Sequence, residues 1–260
     1  MKNVINIFTI TLLFLSALQI NAQNYEFGIR FNPEYTGLIN KNDNNAGNEL
    51  DNASHFSYSS FGIGAIYNKN KNIGLAVDLL FSREGQAFKG FFTNNPPDAT
   101  TYITVVVTQA ALNNSVISGD YVALAELNYI KLPIMLSLTT DNTKLFYFTL
   151  MAGPQLNYLE GVAQEVNNKD LEYPNSNIKP GDLYKTFTIN GVLALGTACK
   201  LTSKLILSAH FRFDYGLNDV EKKDVMVSYS GSTPMRFYSN DRKPTHSYTS
   251  GLMFGLNYKL

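Results

Sequence analysis

Residues 25–35 read Tyr-Glu-Phe-Gly-Ile-Arg-Phe-Asn-Pro-Glu-Tyr, in which aromatic and aliphatic side chains alternate with polar ones and glycine. Successive side chains of a β-strand point to opposite faces, so a period of two predicts a strand with one apolar face. The other face of this strand carries Glu26, Arg30 and Glu34. The stretch therefore predicts a strand with an apolar face on one side and a charged face on the other.

The same alternation returns along the rest of the chain. Seven further segments carry it: 60–67, 73–84, 129–138, 146–158, 187–200, 205–216 and 251–260. No stretch after the first 22 residues contains 18 uninterrupted apolar residues, which argues against transmembrane helices. The sequence predicts eight strands.

The connections between these strands distinguish a membrane barrel from a water-soluble sandwich, which shares the alternation. Short joins at 68–72, 139–143 and 201–204 alternate strictly with long ones at 36–55, 85–125, 159–186 and 217–246. Long unstructured loops are uncommon in compact soluble domains, whereas outer-membrane barrels have short periplasmic turns and long outer loops. We predict an all-β fold, an eight-stranded antiparallel up-and-down transmembrane β-barrel.

The apolar face of such a barrel contacts outer-membrane lipid, and aromatic side chains favour its two interfaces. We expect an aromatic girdle at the strand ends, and ordinary β-propensity is the alternative explanation for each of its members. Its residues are Tyr25, Tyr35, Tyr67, Phe81, Tyr158, Tyr215 and Tyr258.

The polar face points into the barrel. An eight-stranded barrel is just wide enough for side chains to fill it, so mixed charges there predict a paired polar network and argue against a general diffusion pore. The predicted interior residues are Glu26, Arg30, Glu34, Asp78, Glu84, Lys131, His210, Arg212 and Asp214.

The N-terminus resembles an export signal. Lys2 precedes an apolar run from Ile5 to Leu18, and Ala22 is a small residue at the expected cleavage site. We predict a signal peptide at 1–22, a barrel domain at 23–260 and localisation in a bacterial outer membrane. A membrane anchor or a buried N-terminal helix is the alternative, but the run is short for about 30 Å of hydrocarbon.

Composition narrows the function classes. Lys+Arg and Asp+Glu both number 21, so the net charge is zero and the chain lacks the positive charge that favours nucleic-acid binding. Charged residues make up 16%, against about 25% in soluble domains. The single cysteine, Cys199, and three scattered histidines give no pattern of metal ligands. We expect no metal, no cofactor and no nucleic-acid partner.

Three short motifs carry a family resemblance. Residues 129–136 (Tyr-Ile-Lys-Leu-Pro-Ile-Met-Leu), the Gly153-Pro154 pair and the closing segment 252–258 resemble the PorT-like outer-membrane β-barrel family. The resemblance spans the chain from Tyr25 to Leu260. It implies an eight-stranded barrel in the outer membrane of a Gram-negative bacterium, and one namesake of that family takes part in type IX secretion.

A catalytic site was weighed against this interpretation. Ser208, His210 and Asp214 share one face of a strand, and their spacing permits a Ser/His/carboxylate set. Polar filling of a narrow barrel explains the same three residues, so we predict no catalytic residue. His55 is predicted to be a solvated loop residue, and 219–224 a solvated run of mixed charge.

Binding residues concentrate on loops held by a rigid scaffold. Residues 101–109 and 116–125 resemble strands, and we predict that they extend the third and fourth strands as a hairpin within 85–125. The exposed edge of this hairpin is a candidate site for strand addition by a protein partner. A rigid loop without a partner is the favoured alternative. The predicted function is that of a non-enzymatic barrel in envelope structure, adhesion or assembly and secretion. A small barrel enzyme or a narrow-pore transporter is the alternative.

Overall fold

A computed structural model describes residues 24–41, 50–57, 60–92, 119–167, 183–223, 225–227, 235–237 and 243–260. The predicted signal peptide lies outside these ranges. In this part of the chain no helix is long and apolar enough to cross a membrane.

The described residues form β-strands almost throughout. Their bounds are β1 Tyr25–Phe31, β2 Glu34–Ile39, β3 Leu50–Ser57, β4 Phe61–Asn68, β5 Ile73–Phe92, β6 Gly119–Thr139, β7 Phe146–Asn167, β8 Phe187–Lys200, β9 Leu205–Gly216, β10 Val225–Val227, β11 Met235–Phe237 and β12 His246–Lys259. The short strands β10 and β11 pair only with each other, whereas the other ten belong to one sheet.

That sheet closes on itself. Every neighbour pair is antiparallel, and the first strand pairs with both β4 and β12, so the ring has no open edge at that level. Strands β1 and β2 are the two halves of one crossing strand, and β3 and β4 form another, which gives eight crossings. The predicted closed barrel is confirmed.

The first crossing strand breaks at Asn32 and Pro33. Proline has no N–H to donate to a ladder, but its carbonyl still accepts the N–H of Leu252 at 3.1 Å. The N–H of Asn32 bonds to the carbonyl of Ser60 at 2.8 Å. The interruption therefore changes the partners of the backbone without opening the ring.

Alternation along the strands separates two environments. Strand β9 exposes Phe211 and Phe213 and buries His210 and Arg212. The same parity holds around the ring, so the outside is apolar and the inside is polar. In water such a surface would be a large hydrophobic patch, whereas in a bilayer it is the lipid-facing band.

The short joins form as predicted, on one side of the ring. The N–H of Thr139 bonds to the carbonyl of Asn72 at 2.8 Å, which ties the first two turns together. Asp141 Oδ1 accepts the Thr143 hydroxyl at 2.6 Å and the Thr143 N–H at 3.0 Å. These hydrogen bonds stabilise the carboxylate and lower the pKa of Asp141.

Several predicted boundaries are wrong, because the third to fifth crossing strands continue well beyond the predicted ends. Strands β5 and β6 pair as far as Phe92 opposite Gly119. The segment 116–125 lies partly in β6, as the predicted hairpin requires, whereas 101–109 lies outside the described residues. The predicted loop at 36–55 also contains strand: His55 belongs to β3, and its Nε2 lies 3.5 Å from Glu126 Oε1.

Two loop segments cover the outer mouth of the barrel. The N–H of Lys185 bonds to the carbonyl of Val220 at 2.8 Å, and the N–H of Lys222 bonds to that of Leu183 at 2.9 Å. Two residues of the first segment, Leu183 and Tyr184, pack in one buried cluster with Leu127, Tyr129 and Leu159 of the barrel. The prediction that 219–224 is a solvated run is therefore wrong, since Val220 and Glu221 are buried.

Asp219 holds this cover in place. Partial burial opposes its ionisation, but the N–H of Thr245 at 2.9 Å, the Lys223 ammonium at 2.9 Å and the N–H of Glu221 at 3.1 Å outweigh it. The net effect is a lowered pKa for Asp219.

Candidate functional site in the barrel interior

The structure places all nine residues of the predicted polar network on the buried face of the ring. Those near the outer mouth form one cluster, which we call the Lys131 cluster. It consists of Glu34, Glu84, Lys131, Arg212 and Asp214, together with Gln155, which is not one of the nine. Those nearer the short turns are Glu26, Arg30, Asp78 and His210.

Lys131 is the centre of the outer cluster and is fully buried. Its Nζ lies 3.6 Å from Glu34 Oε1 and 3.5 Å from Asp214 Oδ2, and it contacts Glu84 Oε1. One ammonium thus faces three carboxylates. Removing the ammonium would leave uncompensated negative charge in the interior, whereas the intact arrangement gives each of the four groups a contact with an opposite charge.

Arg212 completes the cluster. Its Nε donates to Asp214 Oδ1 at 2.8 Å and its Nη2 donates to Asp214 Oδ2 at 3.1 Å. This bidentate contact fixes the plane of the guanidinium relative to that of the carboxylate. Nη2 also donates to the side-chain oxygen of Gln155. Gln155 is not among the predicted interior residues, although the alternation along β7 places it on the inward face.

Arg30 forms a smaller group nearer the short turns. Its Nε donates to Asp78 Oδ1 at 3.1 Å, and its Nη1 donates to Asn257 Oδ1 at 2.6 Å. Gly64 makes room for the pair, since a Cβ there would collide with both the guanidinium and the Asp78 carboxylate. Glu26 lies lower still and accepts a hydrogen bond from Asn68 Nδ2 at 2.8 Å.

The charges of the nine predicted residues do not balance. Five carboxylates stand against three permanent cations. The carboxylates are those of Glu26, Glu34, Asp78, Glu84 and Asp214, and the cations are Arg30, Lys131 and Arg212. By formal count the interior therefore holds two more acidic than basic side chains.

The geometry gives no catalytic triad. Neither ring nitrogen of His210 has a hydrogen-bond partner among the described residues, and Ser208 Oγ donates to the carbonyl of Gly255 at 3.4 Å. Asp214 is engaged by Arg212 and Lys131. A nucleophile that its base does not contact is not activated. The described residues also contain no group of three His, Cys, Asp or Glu side chains suited to a metal ion.

The residues of the predicted girdle lie on the outer face of the ring. Phe81 and Tyr158 are not near strand ends, because β5 and β7 continue to Phe92 and Asn167. Near the short turns the Tyr25 and Tyr67 rings are 5.1 Å apart, and Tyr258 is exposed. Toward the other rim Tyr158 packs on Phe187 at 5.2 Å, and Tyr35 packs on Phe56 at 4.7 Å. The remaining members, Phe81 and Tyr215, are exposed at the same rim.

A closed antiparallel ring with an apolar outer wall and a packed polar interior defines a transmembrane β-barrel. Residues 21–222 match the model of the outer membrane protein beta-barrel domain family. The chain belongs to that family, and its localisation is the outer membrane.

Solved structures similar to this chain include small outer-membrane barrels. Neisserial surface protein A (NspA) is 14% identical with a TM-score of 0.41, and the match covers 90% of this chain and 97% of that one. The outer membrane protein OprG from Pseudomonas aeruginosa is 8% identical with a TM-score of 0.40, over 92% and 96%. The outer membrane protease OmpT from Escherichia coli is 9% identical with a TM-score of 0.37, over 92% and 98%. No curated protein matches the chain.

Proposed function

We propose that this barrel is a non-enzymatic scaffold that displays a β-sheet above the outer membrane and binds a protein partner along that sheet. The observation that carries the proposal is strand length. Strands β5, β6 and β7 have 20, 21 and 22 residues, whereas a tilted strand needs about 9–11 to cross the hydrocarbon.

The residues beyond the length needed to cross the hydrocarbon lie on the outer side of the membrane. Above Glu84, strand β5 continues for eight residues to Phe92, which corresponds to about 25 Å of extended chain. Strands β3, β6 and β7 rise beside it. Arg83 Nη1 and His55 Nε2 lie 3.7 Å and 3.5 Å from the Glu126 carboxylate, which links three of these strands. We call this projecting part the outer sheet.

The outer sheet has an edge suited to strand addition. Pairing between β7 and β8 ends at Tyr158 opposite Phe187, but β7 continues to Asn167. On that side, residues 160–167 have no strand neighbour in the described part of the chain. An unpaired ladder of N–H and C=O groups binds an extended segment of a partner through main-chain hydrogen bonds.

The filled interior supports a scaffold over the rival functions. The Lys131 cluster and the apolar cover above it occupy the outer half, which is unfavourable for a diffusion path. The missing Ser208–His210 contact is unfavourable for hydrolysis. We expect no single-channel conductance of the full chain in planar bilayers and no loss of any hydrolytic activity on Ser208→Ala.

The binding proposal is tested in living cells with a photoreactive amino acid at Ala163, an exposed position of the β7 edge. The matched control carries it at Leu150 on the same strand, which faces lipid. We expect a discrete protein adduct from position 163, mapped to an extended segment of the partner, and none from position 150. Identical adducts from both positions, or lipid adducts alone, would contradict the proposal.

We also propose that residues 1–22 are a signal peptide removed on export, and that the chain belongs to the PorT-like branch with a partner in envelope assembly or secretion. The motif at 129–136 and the apolar run of the N-terminus support this. Mass spectrometry of the protein from outer membranes tests the first part: we expect an N-terminus near Gln23. A crosslinked partner unrelated to assembly or secretion would contradict the second.

A further inference from the structure

Three methionine side chains meet inside the barrel, between the Lys131 cluster and the short turns. Met135, Met151 and Met253 come from β6, β7 and β12 and are all buried. They pack in one cluster with Ala76, Val192 and Ala194. Three of the six methionines of the chain therefore lie together in a lumen that is otherwise mostly polar.

His210 lies beside this cluster. It is the direct cross-strand partner of Met253, and both side chains point inward. It also lies over Gly196 of β8, where a Cβ would come within 2.7 Å of its Cδ2. The absence of a side chain there leaves space for the ring above β8, the strand that separates His210 from Met151 on β7.

His210 and Met151 line the same cavity, which has a volume of about 30 Å³. The cavity has room for about two water-sized groups. Its lining continues to Glu26, Asn68 and Thr139, which lie at the short-turn end of the barrel. An ion entering from that side thus meets a carboxylate first and the sulfur and imidazole ligands next.

His210 is 5% exposed, and neither nitrogen of its ring has a hydrogen-bond partner in the described part of the chain. Of the buried side-chain atoms without a partner in the described residues, these two are the only nitrogens. Filling of irregular space explains the methionines. It leaves the imidazole unexplained, because a buried polar group without a partner costs free energy.

Thioether sulfur and neutral imidazole together are the ligands of a soft metal ion. Met and Cys sulfur favours Cu(I), whereas Mg²⁺ and Ca²⁺ require oxygen ligands. We propose that Met151 and His210, with Met253 beside them, form a site for one soft monovalent cation, Cu(I) or Ag(I). The carboxyl group of Glu26 lines the same cavity and is the acidic side chain available to an added cation.

Met253 is the weakest of the three ligands. Arg212 Nη1 lies 3.7 Å from its sulfur, so a guanidinium already occupies one side of the thioether. We therefore expect unequal contributions, with Met151 and His210 larger than Met253. This order distinguishes a metal site from uniform packing of sulfur.

The test titrates Ag⁺, which needs no reductant, into the purified full chain in detergent micelles by calorimetry. The chain carries Cys199→Ala, because the free thiol of Cys199 would itself bind Ag⁺. We expect one ion per chain. Met151→Leu and His210→Gln should each weaken binding by at least about tenfold, the loss known for partners even outside the ligand shell. Met226→Leu on the separate β10–β11 hairpin and His55→Gln in the outer sheet are the controls, with affinity unchanged.

A second measurement keeps the test decisive if a variant does not fold. In the wild-type chain with ¹³C-labelled methionine methyl groups, Ag⁺ should shift the NMR signals of Met151 and Met253 and leave that of Met226 in place. Absence of saturable binding, shifts confined to Met226, or equal affinity in Met151→Leu, His210→Gln and the wild type would each overturn the proposal.

Discussion

The outer and inner halves of the barrel interior are built from the same kinds of residue, but they differ in how completely their polar groups are paired. In the outer half every charged group contacts an opposite charge, and Lys131 alone faces three carboxylates. In the inner half Arg30 has one carboxylate partner, His210 has no hydrogen-bond partner among the described residues, and a cavity remains. The outer half is thus filled by paired charges, whereas the inner half leaves a cavity and an imidazole without a partner on the side of the short turns.

Lys131→Met should have the largest effect. It leaves Glu34, Glu84 and Asp214 buried with one cation fewer, and breaking a buried ion pair costs about 3–5 kcal/mol. Guanidinium unfolding in micelles measures the loss. The control is Lys144→Met in an exposed turn, which should change stability by less than about 0.5 kcal/mol. Equal losses in the two variants would show that the Lys131 cluster does not dominate the outer half.

Asp78→Asn should cost less, because Arg30 keeps its hydrogen bond to Asn257 and the inner half contains space for water. We expect a loss of about 2 kcal/mol, the contribution of a hydrogen bond to a charged group. The same unfolding measurement applies, with Asn257→Ala in the Asp78→Asn background as a test of coupling. A loss larger than that of Lys131→Met would reverse the comparison between the two halves.

Asp219→Asn should have the smallest effect, and only above acidic pH. The folded pKa of Asp219 is lowered, so its ionised form contributes stability above the ordinary aspartate pKa of about 3.9. That contribution is lost as the pH falls through the lower folded value. The stability difference between wild type and variant should therefore shrink on acidification. A difference that stays constant down to about pH 2 would contradict this role.

The sequence was sufficient for the barrel because lipid contact imposes strict alternation on every strand. Leu193 and Leu195 face outward and Val192 and Ala194 inward, as a period of two requires. The strand ends were harder. Above the membrane both faces of β5 to β7 meet water or one another, so alternation no longer marks the end of a strand. For this reason the sequence predicts a loop at 85–92, where the structure has strand.

Interior partners were only partly predictable. Parity placed Lys131 and Asp214 on one face, but their 3.5 Å contact joins residues 83 positions apart through the ring closure. Sequence patterns of metal ligands are made of cysteine and histidine, so the methionines give no such signal. Met151 and His210 lie on different strands, and only the register of β7, β8 and β9 brings them to one cavity.

The seam of the ring joins the first crossing strand to the last. Glu26 lies opposite Lys259, and the hydrogen bond from Arg30 to Asn257 spans 227 positions. Closure therefore needs β12, and contacts of such long range make folding slow. Until β12 pairs, the nascent sheet has two unpaired edge strands and an exposed apolar face. Its assembly therefore depends on protection from aggregation before it enters the bilayer.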